Sequence, residues 1–442
     1  MTTTRGGGRR AALLVAACLL WSAPAARAET AASGPGLSLA QAVEIALRQN
    51  HNLLLAREQL ARVDGQIQEV GSVIYPQVGL SADAFRAYDE SIRDSAFGAL
   101  AAPEAVNRYG VRASLRQLLF SWGKASTAIA IAQDGQRLTR EDLDTAVRGV
   151  TLQVHEAFYR LLLAQRLVDV AEERQAQRRR QLEVAEKRLA AGVVNEFEVL
   201  RAEVDLANAA PPAIRAKNQV RQAVSQLNNL LARDQNTPLE TSEELRYQPL
   251  EGLTLALVVE RAVTQRPELQ SLRVAREIAE KAVRIAQAEN KPQVNLLAEY
   301  GFAADQLSNL GLDREVWSAG VALTWPLFDG GRTRGQVAQA TSEVRQAALA
   351  NAQLEESITL EAKAALDDLA EARQIIDAAS LNTEQAQKAL ELAEAAYRYG
   401  VATALDVTNT ELSLTVARTD HARALHDYLV ARARVLSVMN EL

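Results

Sequence analysis

The sequence predicts a mixed fold, in which long antiparallel helical hairpins carry four membrane β-strands per chain. Three observations predict it. The chain repeats itself, two long stretches lack proline, and four short runs alternate strictly between apolar and polar side chains. Among known repeat architectures, few combine short strands with very long helices.

The repeat is read from matched segments. Leu37-Ser38-Leu39 returns as Leu253-Thr254-Leu255, and Tyr75-Pro76-Gln77-Val78 as Lys291-Pro292-Gln293-Val294. Leu119-Phe120-Ser121-Trp122-Gly123-Lys124 returns as Leu327-Phe328-Asp329-Gly330-Gly331-Arg332. Ala191-Gly192-Val193, followed by Glu198 and Glu203, returns as Tyr399-Gly400-Val401, followed by Asp406 and Glu411. This divides the chain into repeats at 29–252 and 253–442, behind a leader.

Residues 1–28 read as a secretory signal. Arg5, Arg9 and Arg10 precede a short apolar run, and Ala26-Arg27-Ala28 is a small-x-small cleavage site. The only cysteine, Cys18, lies inside this segment. Val15-Ala16-Ala17-Cys18 also resembles a lipobox, but the apolar run continues beyond it, so cleavage after Ala28 is expected. The net charge of −6 argues against a nucleic-acid footprint. Aromatics make up only 5%, and Ala, Leu, Glu, Arg and Gln dominate, as in long helices.

Within the first repeat, Ser38 is a plausible N-cap for a helix reaching about Val73, which Pro76 ends. The period then changes to two. Val78, Leu80, Ala82 and Ala84 alternate with polar or small neighbours, as do Tyr109, Val111, Ala113 and Leu115, giving strands near 77–88 and 108–119. A loop near 86–107 separates them. The proline-free stretch predicts a helix over 122–191, about 100 Å long at 1.5 Å per residue. Gly192 supplies a C-cap, a helix returns over 195–233, and 234–252 is a linker. The second repeat has a helix, strands near 293–303 and 316–327 around a loop near 303–315, a long helix over 330–399 capped by Gly400, and a return helix over 403–442. Pro76, Gly123, Pro292, Pro326, Gly330 and Gly331 mark the turns between strands and helices.

Strands of about ten residues with one apolar face suit a membrane barrel, and Tyr109, Tyr300, Phe302, Trp317 and Trp325 are expected to face lipid. Four strands cannot close a barrel, and open edges in lipid leave unpaired backbone groups. The strands must therefore be shared between copies: two would give eight strands, and three would give twelve with room for a lumen. A conventional single-chain porin is excluded by the strand count.

Taken together, the signal segment, the duplicated units, Leu327-Phe328-Asp329-Gly330-Gly331-Arg332 and Tyr399-Gly400-Val401-Ala402-Thr403-Ala404-Leu405-Asp406-Val407 resemble the TolC-type outer-membrane efflux proteins. The resemblance covers essentially the whole mature chain. It implies a homotrimer with a twelve-stranded barrel in the lipid of the outer membrane and a twelve-helix periplasmic tunnel. It also implies a periplasmic adaptor (a membrane fusion protein) and an inner-membrane transporter as partners. The expected function is the exit duct of a tripartite efflux or type I secretion system.

The resemblance assigns roles to single residues. Gly192, Val193, Gly400 and Val401 become the tips where the adaptor docks; their ordinary role is helix capping. Asp406 becomes a ring at the tunnel constriction, although an Asp near a helix start is usually a dipole partner. Asn409 stands where the family carries a second acid. Tyr397 and Glu198 occupy two places of a closing lock, while Ala402 replaces its arginine, so the lock is expected to lack its cation. Pro211-Pro212 is expected to interrupt the return helix locally. His51, His155, His421 and His426 show no metal spacing, and no nucleophile–base pair or phosphate loop is visible. No cofactor is expected, and the chain reads as a passive duct rather than an enzyme. The rival reading is a structural or adhesive periplasmic coiled-coil protein with a soluble hairpin domain; outward-facing tryptophans argue against it.

Overall fold

The computed structural model describes residues 36–88, 106–304, 306 and 315–442. The expected signal segment with Cys18, and most of both inter-strand loops, lie outside these residues. The elements in order are α1 (Leu39–Gln49), α2 (His51–Gly71), β1 (Gln77–Ala87), β2 (Val106–Phe120), α3 (Lys124–Ala190), α4 (Glu196–Leu230), α5 (Leu255–Gln265), α6 (Pro267–Ala288), β3 (Gln293–Ala304), β4 (Glu315–Thr324), α7 (Arg332–Arg398) and α8 (Ala404–Val438). Both long helices, α3 and α7, have 67 residues, and both return helices, α4 and α8, have 35.

The first helix of each half is broken, against the expectation of one continuous helix. Ser38 caps α1 with a capping box, its Oγ accepting from the Gln41 N–H at 3.2 Å. The chain then bends at Asn50, whose side chain accepts from the Asn52 N–H and donates to the Leu230 carbonyl at 2.8 Å. A polar residue that caps the next helix and ties it to the end of α4 outweighs helical continuity. In the second half the break falls at Arg266, which is held extended by Pro267 at the first position of α6.

The strands form one antiparallel sheet in the order β1-β2-β3-β4. Its register gathers most apolar residues of all four strands on one face. Val78 pairs with Leu115, Leu80 with Ala113, Ala113 with Tyr300, Val111 with Phe302, Tyr300 with Trp317 and Leu296 with Val321. Much of this face is uncovered, with Trp317 71% exposed. β1 and β4 each keep one unpaired edge within the described sheet. β4 ends at Thr324 rather than at the expected 327, because Pro326 has no N–H to give a ladder. Trp325 therefore lies beyond the strand, where its indole N–H donates to the Asn290 carbonyl at 3.1 Å.

The helices pack as rods. The main core gathers Ala42, Leu53, Val154, Phe158, Leu161, Leu227, Leu269, Ile358 and Tyr428 from both halves. Toward the tips the packing thins to a small cluster of Leu390, Val407 and Leu414, against which Tyr397 rests. Among the described residues, no helix is long and apolar enough to cross a membrane.

The expected interruption at Pro211-Pro212 does not occur, and α4 runs through it. The two missing donors free the carbonyls of Ala207 and Asn208, which are exposed residues that water can reach. Ala209, Ala213 and Ala216 are buried, and this packing keeps the helix continuous where local chemistry would break it.

Candidate functional site

The two helical hairpins end side by side in matching caps. Gly192 has φ 70° and Gly400 has φ 74°. The Val193 N–H donates to the Arg188 carbonyl and the Gly192 N–H to Leu189, both at 2.9 Å. Val401 and Gly400 repeat the pattern onto Ala396 and Tyr397. These are Schellman caps, which require a left-handed residue that glycine supplies without a Cβ penalty. Each cap displays an apolar residue: Val193 is 63% exposed and Val401 83%.

The return helices start on side-chain caps. The Asn195 side chain accepts from the Glu198 N–H. Thr403 and Asp406 form a capping box, in which Asp406 Oδ2 accepts from the Thr403 N–H at 2.8 Å and from its hydroxyl at 2.6 Å. These two Thr403 bonds hold the Asp406 carboxyl below the usual carboxylate range. Asp406 is thus engaged in a cap within the chain, at an exposed position; Asn409 is exposed as well.

Behind the tips lies a cavity of about 420 Å³. Residues of α3, α4, α7 and α8 line it, and Glu198 and Tyr397 are both among them. Although Ala402 offers Tyr397 no cation, one approaches it from another element. Arg188, in the last turn of α3, donates to the Tyr397 hydroxyl and lies over its ring, 5.2 Å from the centroid. The cation comes from the neighbouring hairpin instead of from the tip of Tyr397's own.

A second contact joins the hairpins. Arg178 of α3 lies 3.1 Å from Glu411 of α8, with 6% and 5% of their side chains exposed. Gln177 donates to Glu411 at 2.7 Å, and Gln181 donates to it as well. Arg178 also donates to Gln181 at 2.9 Å and lies 3.9 Å from Asp205 of α4. Burial pushes the Glu411 carboxyl above the usual range, against the opposing pull of Arg178 and Gln177, and Glu394 adds to the upward push. In the sequence, Arg178 sits in the Arg178-Arg179-Arg180 run and passes for a solvated charge. The signal that could have found it is helical phase, since Arg178 continues the stride of buried Val150, Val154, Ala157, Leu161 and Ala164.

At the other end of the rods, Pro76 and Pro292 stand directly before β1 and β3. Gly123, at φ 77°, and Gly331, at φ 88°, cap α3 and α7, with Gly330 beside the latter at φ 63°. Asp329 accepts from the Gly331 N–H at 3.0 Å and the Thr333 N–H at 2.9 Å, which explains the acid in the Leu327–Arg332 motif. Tyr109, Tyr300, Phe302 and Trp317 all share the sheet's apolar face.

Paired helical rods joined to one antiparallel sheet with a largely apolar, exposed face set the class of protein. The chain belongs to the outer membrane efflux protein family, whose model matches residues 42–233 and 258–441. It is 24% identical over 375 residues to the alkaline protease secretion protein AprF of Pseudomonas aeruginosa, covering 82% of this chain and 76% of that one. It is 23% identical over 401 residues to the outer membrane protein TolC of Escherichia coli, covering 85% and 77%. The fold is similar to that of the Campylobacter jejuni CmeC outer membrane channel, with a TM-score of 0.76 at 19% identity over 91% of this chain and 85% of that chain. The protein is thus an outer-membrane efflux protein with a helical part built to stand in the periplasm.

Proposed function

We propose that the chain is the exit duct of a tripartite efflux or type I secretion system. Three copies would share their strands in a twelve-stranded barrel that continues into a twelve-helix tunnel. The observation that carries this reading is the four-stranded sheet: its largely apolar face spans both halves of the chain, yet both outer edges of the described sheet are unpaired. In lipid each unpaired backbone group costs several kcal/mol, so neighbouring copies must complete the ladder. Exposed Trp317 on that face speaks against a soluble hairpin domain and hence against the structural or adhesive alternative. The family match supports the same choice.

On this reading Gly192, Val193, Gly400 and Val401 are where a periplasmic adaptor docks, handing on cargo from an inner-membrane transporter. Exposed valines held on rigid caps suit such a contact. Tyr397, Glu198, Asp406 and Asn409 belong to the constriction behind the tips, with Asp406 forming a ring of three carboxylates. Light scattering of the detergent-extracted protein tests the assembly: a trimer is expected, and a monodisperse monomer would overturn the reading. Asp406→Ala is expected to weaken block by multivalent cations entering from the tip side.

A further inference from the structure

All four glycines of the strands, Gly79, Gly110, Gly301 and Gly320, fall on the sheet face opposite Tyr109, Tyr300, Phe302 and Trp317. At Gly301 an added Cβ would lie 2.2 Å from the Val111 carbonyl oxygen and 2.7 Å from Arg112 Cγ. Only glycine fits there; with most aromatics on the opposite face, this more polar face is the one turned away from lipid. The same face carries Arg108, Arg112 and Arg116, one at every fourth residue of β2. They are spread over about 27 Å of strand at 3.4 Å per residue.

Two acids share that face, Asp83 on β1 and Glu299 on β3. Asp83 accepts from Arg112 at 2.8 Å, the one ion pair of this face among the described residues. The remaining inward positions of β3 and β4 are small or neutral, including Asn295, Ser318, Ala322 and Thr324. Three guanidinium groups on one strand therefore face two carboxylates, one of which is already engaged.

We infer that β2 lines the outer part of the duct with an arginine band that attracts anionic solutes, those bearing carboxylate, phosphate or sulfonate groups. The inference rests on the reading that the strands close a barrel between copies. Twelve strands about 4.8 Å apart, tilted by about 40°, enclose a cylinder of about 12 Å radius. Arginines reaching inward from that wall come within a Debye length, about 8 Å at physiological salt, of the axis. Cargo on the axis therefore feels the band without touching it, and rings of Arg or Lys are the known device of anion-selective pores. Asp83 tempers the band by neutralising Arg112.

The test is single-channel recording of the full-length protein in planar bilayers, with inorganic tripolyphosphate added on the side of the strand loops. Block by tripolyphosphate is expected. Arg108→Gln with Arg116→Gln should raise the half-blocking concentration at least tenfold, while the paired Lys substitutions should keep it within about threefold of the parent. Asp83→Asn, which frees Arg112, should lower it severalfold, a gain that a poorly folded variant cannot mimic. Conducting channels whose block is the same in the parent and in all these variants would overturn the arginine band alone. Absence of any conductance would overturn the barrel reading, and the band with it.

Discussion

Arg178 of α3 and Glu411 of α8 meet at 3.1 Å and clasp the two helical hairpins together behind their tips. Few other buried side chains hold α7 and α8 at that level. Removing one partner of a buried pair strands the other charge and costs about 3–5 kcal/mol. Arg178→Met is therefore expected to speed hydrogen exchange across residues 404–415, with the main core unaffected. Adding Glu411→Leu to that variant should restore most of the protection. Unchanged exchange in Arg178→Met would show that the pair does not hold the hairpins together.

The same carboxyl makes the clasp sensitive to pH. Burial raises Glu411 above an ordinary glutamate, with Arg178, Arg174 and Gln177 opposing and Glu394 assisting. A group whose packed-state value is raised binds its proton more tightly when packed than when exposed. Its stabilising contribution is complete below the ordinary glutamate value and is lost as pH rises through the raised one. Exchange at 404–415 should accordingly be slower near the acid end of that window, after correction for intrinsic rates. Glu411→Gln should flatten the dependence, and a slope that survives this substitution would assign the effect to another group.

Tyr397 is held in two ways by Arg188, through its hydroxyl and through its ring face. Tyr397→Phe removes the first and keeps the second, whereas Arg188→Ala removes both. A cation–π contact contributes about 0.5–1 kcal/mol at exposed sites and about 2 when desolvated. Single-channel conductance is expected to rise in both variants, more in Arg188→Ala than in Tyr397→Phe. The reverse order would mean that the hydroxyl carries the contact alone.

Nothing lies within 4 Å of where a Cβ would sit on Gly192 or Gly400. Alanine there would meet no neighbour, so its cost is purely the left-handed backbone, about 1–2 kcal/mol each. Gly400→Ala should loosen the tip and weaken capture of the cognate adaptor, with overall melting little changed. Loss of adaptor binding without any local increase in exchange would point to direct contact rather than to cap geometry.

Period and punctuation made much of the fold legible. The alternation at Val78–Ala84 and Val294–Phe302 gave the faces of the sheet, and proline-free runs ending in glycine gave the rods. The break at Asn50 was not legible, because its cause is a hydrogen bond to Leu230, far away in sequence. Pro211-Pro212 misled for the opposite reason, since the packing of Ala209, Ala213 and Ala216 overrides a strong local signal. At the tips, Tyr397 and Glu198 were marked only by the family resemblance. Arg188 could not be marked, and Arg178 only as a buried phase of α3 without its partner, because pairing across hairpins depends on how the rods rotate against one another.

The pairing of β2 with β3 has a consequence for how the chain matures. Tyr109 meets Ala304 and Leu115 meets Ala298, although α3, α4, α5 and α6 all lie between them in the chain. Contacts between such distant segments return nothing until the intervening loop entropy has been met. The α3–α4 rod, joined by a few residues at Gly192, carries no such burden. The β1–β2 hairpin and the first rod are local in sequence, whereas the free edge of β2 must wait for β3 from the second half of the chain. The apolar face that spans all four strands is therefore completed only when both halves of the chain are in place.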